Sequence, residues 1–267
     1  MVPQTVDGAS QATSRDLEAR ERRLVIVTAV IIVILLAAVY IYRHYGRSLT
    51  GKDRYDPDVA LLTRGNPHLR EIALTFDDGP KPEYGPPIAA LLKSRGIAAT
   101  FFVIGKRVKE YPQILKQLSD DGFEIGNHTY DHQRLPSLKP HEIANELRFC
   151  DQDIFKVTGK HTTLMRPPGD EMNTKVLWVA KALGYVTVSY TVGAKDFGQD
   201  PPTAMIIHRI LARTKPGTII LLHQTSHATL EALPTMLDVL KSRGFHFVTI
   251  SQMLAHESAQ LPTPPAR

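Results

Sequence analysis

The chain has 267 residues, of which 43% are hydrophobic and 22% are charged; this excludes wholesale disorder and allows one large core or two small ones. Its formal net charge is +5, but residues 1–52 hold seven Lys and Arg against four Asp and Glu, which leaves 25 against 23 in the rest. A nucleic-acid-binding domain, which usually carries a basic stripe, is therefore not expected.

The single cysteine, Cys150, excludes an internal disulfide framework. It occurs in the series Ile143, Leu147, Cys150, Ile154 and Val157, whose 4-3-4-3 spacing is typical of one face of a helix. We therefore expect Cys150 to be buried as a small hydrophobic residue rather than to act as a reactive thiol.

The first strongly apolar segment runs from Leu24 to Tyr42 and contains no charged residue. At about 1.5 Å per residue a helix of this length spans about 28 Å, close to the roughly 30 Å hydrocarbon core of a bilayer. The pattern predicts a single transmembrane helix after a polar tail, residues 1–23. A cleaved signal peptide is the alternative, although the run is long for one and no small-x-small cleavage site follows it. Basic residues flank both ends, so they do not orient the helix.

Strand and helix patterns alternate along the rest of the chain. Residues 43–69 are predicted to be a linker, residues 70–256 a folded domain and residues 257–267 a flexible tail. The predicted strands are 71–76, 100–104, 124–127, 164–166, 185–190, 218–222 and 247–249, and the predicted helices are 87–94, 112–120, 141–158, 174–183, 202–212 and 230–242. This alternation predicts an α/β domain with a parallel sheet, and periodicity alone does not separate a barrel from an open doubly wound sheet.

Two adjacent acids, Asp77 and Asp78, follow the first predicted strand, and Gly79-Pro80 ends it. The carboxyl end of a parallel strand is where α/β folds bind ligands. Because neighbouring side chains on an extended segment point in opposite directions, we expect the pair to divide two tasks, with one carboxylate on a metal and the other free as a base. A solvated turn is the simpler alternative.

Two histidines, His128 and His132, follow the predicted strand 124–127. Imidazoles four residues apart on a helical turn face the same way and can hold one metal ion. With one carboxylate they form a His-His-Asp set with open positions for water, which suits zinc or another late divalent metal. A chance pair among the eleven histidines is the alternative.

Two further groups close predicted strands. The segment 166–169, Arg-Pro-Pro-Gly, fixes φ twice, and its glycine allows the backbone to approach a ligand closely; an ordinary loop with a surface arginine is the alternative. His223 ends the apolar run 218–222, where parallel sheets place catalytic groups, although a satisfied core histidine also fits the pattern. His227, four residues further on, has no assigned role.

In chain order, Thr75-Phe76-Asp77-Asp78-Gly79, His128-Thr129-x-x-His132, Arg166-Pro167-Pro168-Gly169 and Leu221-x-His223 resemble the motifs of the NodB-like polysaccharide deacetylases, carbohydrate esterase family 4. The resemblance covers residues 70–254 and implies a distorted (β/α)7 barrel preceded by the single transmembrane helix. By analogy, Asp78, His128 and His132 would ligate a divalent metal, Zn²⁺, with Co²⁺ or Ni²⁺ as alternatives.

The resemblance also implies the catalytic roles. Asp77 would be the general base, held ionised by Arg166 because an adjacent cation favours the carboxylate. His223 would be the general acid, tuned by Asp196. A backbone N–H near Gly169 would join the metal in stabilising the oxyanion, and the products would be acetate and a free amino sugar.

The pocket motifs depart from the family pattern. Leu221 would contact the acetyl methyl group and Phe197 would supply an apolar wall. The family usually has an aromatic residue after the Arg-Pro-Pro run, where Gly169 and Asp170 stand, and an Asp-Trp pair where Asp196 and Phe197 stand. We expect these differences to change substrate preference before they change activity.

The resemblance implies a membrane-anchored, metal-dependent deacetylase of an N-acetylated polysaccharide, with N-acetylglucosamine of peptidoglycan as the leading substrate. Because that polymer lies outside the cytoplasm, residues 43–267 are expected to be extracytoplasmic at the cell membrane and residues 1–23 cytoplasmic. One alternative is a glycan-binding pseudoenzyme that keeps the metal site. Another is hydrolysis of O-acetyl esters, or of a non-glycan amide, by the same residues. No oligomeric state follows from the sequence.

Overall fold

The computed structural model describes residues 54–198 and 201–258, together with Val25, Thr28, Ala29, Ile32 and Val33. The chain divides into two compact units, Met1–Lys52 and Asp53–Arg267, and the elements named below belong to the second. Within the described residues, no helix has the length and apolar character needed to cross a bilayer. Most of the predicted span, residues 24–42, lies outside those residues.

The strands of the second unit form one curled, half-barrel sheet. The ten strands found among the described residues are β1 (Tyr55–Asp56), β2 (Leu61–Leu62), β3 (Glu71–Gly79), β4 (Thr100–Val103), β5 (Glu124–Asn127), β6 (Leu164–Met165), β7 (Val186–Val188), β8 (Val192–Gly193), β9 (Thr218–His223) and β10 (His246–Val248). Their hydrogen-bonded order is β1-β2-β7-β6-β5-β4-β3-β9-β8, and β10 pairs with β3. All of these pairs are parallel except β1 with β2.

Helices connect the strands. They are α1 (Gly85–Ser94), α2 (Gly105–Glu110), α3 (Pro112–Asp120), α4 (Pro140–Thr158), α5 (Thr174–Ala182), α6 (Thr203–Arg213), α7 (His227–Ser242) and α8 (Ile250–Ser258). Two short 3₁₀ turns, Leu135–Ser137 and Pro168–Asp170, follow β5 and β6. A strand followed by a crossover helix and a parallel strand is the arrangement that the sequence pattern predicts.

The core explains why the central strands are almost wholly apolar. Strands β3 and β9 are buried along most of their length, because the sheet packs against the helices. The Phe76 and Phe101 rings stack with centroids 5.0 Å apart, in a cluster that includes Leu92 of α1 and Leu237 of α7. Because the strands are parallel, the carboxyl ends of β3, β5, β6 and β9 meet at one edge of the sheet.

Residues 54–69 differ from the predicted linker. Strands β1 and β2 pair with each other, β2 adds a parallel pair with β7, and Leu62 is fully buried. Two-residue strands have too few positions to show a period, and the pattern missed β1, β2 and β8 although it found the equally short β6. The prediction for Cys150 is confirmed: it is buried on α4, and its thiol donates to the Val103 carbonyl at 3.4 Å.

Candidate active site

Asp77 and Asp78 lie at the end of β3, where a bulge interrupts the pairing with β4. The register of the two strands shifts between Phe76 and Gly79, and Asp78 has a φ of +66°. The expectation that the two side chains point in opposite directions is wrong, since Asp77 Oδ2 and Asp78 Oδ1 lie 3.7 and 3.5 Å from the same atom, His128 Nε2. The bulge takes Asp78 out of the strand alternation, so both carboxylates face one site.

His128 and His132 lie in the loop after β5 rather than on the helical turn that their spacing predicted. Thr129 and His132 have φ values of +67° and +58°, which breaks any helical path. The two imidazole centroids are nevertheless 5.0 Å apart. The pairing was predicted correctly, but it depends on an irregular loop.

Two buried polar side chains hold this loop, and neither was predicted. Asn127 Oδ1 accepts the Thr129 N–H at 2.8 Å. Glu146 Oε2, on α4, accepts the N–H groups of Tyr130 and Asp131 at 3.0 and 2.8 Å. Both side chains are buried, so their hydrogen bonds are made without competition from water. The available signal was an acid within the apolar face of α4.

Asp78, His128 and His132 form a cluster whose candidate ligand atoms all lie within 4.8 Å of one another. Asp78 Oδ1 lies 3.3 Å from His132 Nε2 and 3.5 Å from His128 Nε2, yet this buried oxygen has no hydrogen-bond partner among the described residues. The His128 Nδ1–H donates to the Arg166 carbonyl at 2.8 Å, because a carbonyl can only accept, and Nε2 keeps its lone pair on the cluster side. One carboxylate and two imidazoles therefore fit a divalent metal such as zinc.

The surroundings favour the protonation states that metal binding requires. Burial lowers the pKa of the His128 imidazole below its ordinary value, although the charges of Asp77 and Asp78 oppose this. Burial alone would raise the pKa of Asp78, but the adjacent His132 ring, with the charges that His128 and His223 carry when protonated, holds that pKa well below its ordinary value. Asp78 is thus ionised and the neutral form of His128 is favoured.

Arg166, directly after β6, is fully buried. Its Nη1 donates to Asp77 Oδ1 and to Thr75 Oγ1, each at 2.8 Å. Nε and Nη2 donate to the carbonyls of Val188 and Ser189 at 3.1 and 3.2 Å. The surface arginine that was the alternative is thereby excluded. Arg166 instead fixes Asp77 through one carboxylate oxygen and leaves Oδ2 facing the cluster.

His223 ends β9 and is the register partner of Asp77 on β3. Asp196 accepts both the backbone N–H and the Nδ1–H of His223, each at 2.8 Å, and also the Thr229 hydroxyl. Burial alone would lower the pKa of His223, but the hydrogen bond and charge of Asp196, with Asp77 and Asp78, outweigh it and raise the pKa above its ordinary value. The imidazole therefore tends to be protonated, with Nε2 available to the cavity.

These groups line one cavity of about 240 Å³. Its lining residues are Asp77, Asp78, His128, His132, Arg166, Gly169, Asp170, Tyr190, Phe197, Leu221 and His223. Nine of the ten predicted site residues are in this set, and the tenth, Asp196, contacts the cavity through His223. The Phe197 ring is mostly exposed and meets the His223 ring edge to face at 5.4 Å. Asp170 and Tyr190 were not predicted as site residues.

Comparison with known proteins shows which family the chain resembles. The family model described as polysaccharide deacetylase matches residues 64–188. A peptidoglycan-N-acetylglucosamine deacetylase of Bacillus cereus is 37% identical over 191 residues, which cover 70% of this chain and 89% of that protein. The peptidoglycan-N-acetylmuramic acid deacetylase PdaA of Bacillus subtilis is 34% identical over 202 residues, which cover 74% of this chain and 77% of that protein.

Solved structures match the same region. The structure of Bacillus subtilis PdaA, a family 4 carbohydrate esterase, superposes with a TM-score of 0.71 and 33% identity, covering 74% of this chain and 86% of that one. A family 4 pseudoenzyme from Bacillus anthracis superposes with a TM-score of 0.70 and 30% identity, covering 73% of this chain and 68% of that one. The chain therefore belongs to the polysaccharide deacetylase family, carbohydrate esterase family 4, and is a carbohydrate deacetylase.

Proposed function

We propose that this chain is a metal-dependent deacetylase that removes the N-acetyl group from N-acetylglucosamine in peptidoglycan or a related polysaccharide. One observation carries the proposal: Asp77 and His223, which are register partners on neighbouring strands, share one cavity with Asp78, His128 and His132. A base, an acid and a metal-ligand cluster are the groups that hydrolysis of an unactivated amide requires.

Asp78, His128 and His132 would hold the metal, Zn²⁺ in this proposal, with Co²⁺ or Ni²⁺ as alternatives. The chemistry that such a cation would supply is Lewis acidity toward the acetyl carbonyl and the attacking water. Asp77 accepts the proton of that water through Oδ2, the oxygen that Arg166 leaves free. Arg166 keeps this carboxylate in one orientation throughout.

The second half of the reaction uses Gly169 and His223, which line the same cavity. A backbone N–H at Gly169 donates to the oxyanion of the tetrahedral intermediate. The Nε2–H of His223 then protonates the leaving nitrogen, while Asp196 holds the ring through Nδ1. The C–N bond breaks and releases acetate and the free amine. Leu221 contacts the acetyl methyl group, and Phe197 forms the outer wall.

The substrate assignment is supported by two relatives, one named for N-acetylglucosamine of peptidoglycan and one for N-acetylmuramic acid. We favour N-acetylglucosamine, the sugar of the relative with the higher identity.

Because peptidoglycan lies outside the cytoplasm, we also propose that residues 24–42 anchor the chain in the cell membrane and that residues 43–267 are extracytoplasmic. Residues 70–256 would form the family's distorted (β/α)7 barrel.

The purified chain, loaded with zinc or cobalt, should release acetate from N-acetylglucosamine oligomers. The Asp77→Asn variant is the matched control, because it keeps the shape of the side chain and removes the base. The proposal fails if the wild-type chain releases no more acetate than this variant from any N-acetylated glycan tested.

A pseudoenzyme is the second candidate, because a solved pseudoenzyme of the family is 30% identical with a TM-score of 0.70. A pseudoenzyme would bind metal and oligosaccharide without hydrolysing the acetyl group.

Esterase activity is the third candidate, because the same residues would hydrolyse an O-acetyl group. Acetate release from O-acetylated and N-acetylated sugars, measured side by side, distinguishes all three.

A further inference from the structure

Asp170 is a cavity-lining acid that the mechanism above does not use. It ends the 3₁₀ turn Pro168–Asp170 with a φ of +57°, next to Gly169. Its Oδ2 accepts the Ser189 hydroxyl at 2.6 Å. Its Oδ1 is buried and has no hydrogen-bond partner in the described part of the chain.

Two other buried acids near the site, Glu146 and Asp196, have donors at both carboxylate oxygens. Glu146 accepts the N–H groups of Tyr130 and Asp131 through Oε2 and the Gln133 amide through Oε1. Asp196 likewise has donors at both oxygens. Glu146 and Asp196 are thus satisfied at both oxygens, as buried polar groups normally are.

Two other buried oxygens near the site also lack a hydrogen-bond donor among the described residues, but Asp131 Oδ1 is paired with the Lys106 ammonium and Asp78 Oδ1 belongs to the metal-ligand cluster. Because Asp170 lines the cavity, its unsatisfied oxygen indicates a donor that the described residues do not supply.

Within residues 54–198 and 201–258, no cationic side chain supplies that donor. Arg166, the nearby guanidinium, directs its hydrogen bonds to Asp77, Thr75 and the carbonyls of Val188 and Ser189. Burial raises the pKa of Asp170 to about 6, with a smaller contribution from Asp77, against the opposing effects of the Ser189 hydroxyl and Arg166. Above that pH the side chain is ionised, and Oδ1 is an acceptor only.

The cavity fixes the chemistry of the group that completes this contact. The ionised carboxylate of Asp170 itself disfavours an anionic substituent at this contact. Leu221, Phe197 and Tyr190 offer apolar and aromatic surface that suits the carbon face of a sugar ring. A neutral hydroxyl presented by such a ring meets both conditions.

We propose that Asp170 is a specificity-determining residue whose Oδ1 accepts a hydrogen bond from a hydroxyl group of the sugar that carries the acetyl group. The inference rests on the proposed function and narrows the substrates to those whose acetylated sugar has a free hydroxyl within reach of Asp170 Oδ1. It also assigns a role to the segment where this chain departs from the family's aromatic residue. A hydrogen bond to a charged acceptor contributes about ten- to hundred-fold in affinity.

The test compares the full metal-loaded chain with its Asp170→Asn and Asp170→Gly variants. Asn and Gly both tolerate a positive φ, so the turn is preserved. Glu171→Gln is the matched control, since it removes a neighbouring charge that pairs with Arg134 outside the cavity. The probes are the N-acetylglucosamine tetramer and 4-nitrophenyl acetate, an acetyl ester that has no hydroxyl.

We expect both Asp170 variants to bind the tetramer at least about ten-fold more weakly than wild type when the affinity is measured by calorimetry. The KM for the tetramer should rise by a matching factor. The rate of 4-nitrophenyl acetate hydrolysis should stay within about two-fold of the wild-type rate. Unchanged tetramer binding overturns the inference, as does an equal loss on both probes, which indicates a structural role. Failure of the wild-type chain to bind the tetramer also overturns it. A wild-type chain that binds the tetramer without releasing acetate contradicts the proposed function instead, and the binding comparison still decides the role of Asp170.

Discussion

The guanidinium of Arg166 carries a positive charge inside the sheet, and its removal would leave several buried groups unsatisfied. It pairs with Asp77 at 2.8 Å, binds Thr75 and lies 4.3 Å from the centroid of the Phe102 ring. In Arg166→Met the Asp77 charge remains buried without its partner. We expect the free energy of unfolding to fall by about 3 to 5 kcal/mol.

Urea denaturation of Arg166→Met measures that loss. Arg134→Met is the control, because Arg134 forms an exposed ion pair with Glu171 and should matter little. A loss in Arg166→Met no larger than that in the control contradicts the assigned burial of the charge.

His223 supplies a second prediction at the residue scale, through its pH dependence. A general acid acts in its protonated form, so activity falls as the pH rises through its pKa. Asp196 raises that pKa, and Asp196→Asn should therefore lower it and move the alkaline limb of kcat/KM to lower pH. A pH–rate profile shows the shift. Glu231→Gln, at an exposed position, is the control. If the alkaline limb moves no further in Asp196→Asn than in this control, Asp196 does not raise the pKa of His223.

At the scale of elements, α4 holds the metal-ligand loop through Glu146. Removal of this carboxylate in Glu146→Ala frees the N–H groups of Tyr130 and Asp131 without touching a ligand atom. We expect metal affinity to fall by about ten- to hundred-fold, the usual effect of losing a group that orients ligands. Metal titration of Glu146→Ala against Arg148→Ala, an exposed position on the same helix, checks this. Equal metal affinities in the two variants would show that Glu146 does not hold the metal-ligand loop in place.

The elements themselves were largely predictable, because most are long enough to show a period. Strand 124–127 and helix 112–120 agree with β5 and α3 at both ends. The bulge at Asp78 and the loop at His132 were not predictable, since each depends on a positive φ that the residue type does not announce. Both nevertheless determine where the ligand atoms lie.

At the scale of the whole molecule, the parallel sheet explains why a site could be predicted from separated motifs. Asp77, His128, Arg166 and His223 each end or follow a strand, and parallel strands bring those ends to one edge. The sequence could not reveal the supports of the site, such as Glu146 and the free oxygen of Asp170, because they depend on which buried groups find partners in three dimensions.

Asp77 and Asp78 are assigned different roles, and zinc binding measured together with acetate release distinguishes them. Asp78→Ala should lose bound zinc and activity together, because it removes a ligand. Asp77→Asn should bind zinc as wild type does but release acetate about 10²- to 10⁴-fold more slowly, the usual contribution of a general base. Wild-type zinc binding by Asp78→Ala, or wild-type acetate release by Asp77→Asn, would show that the two carboxylates do not have these roles.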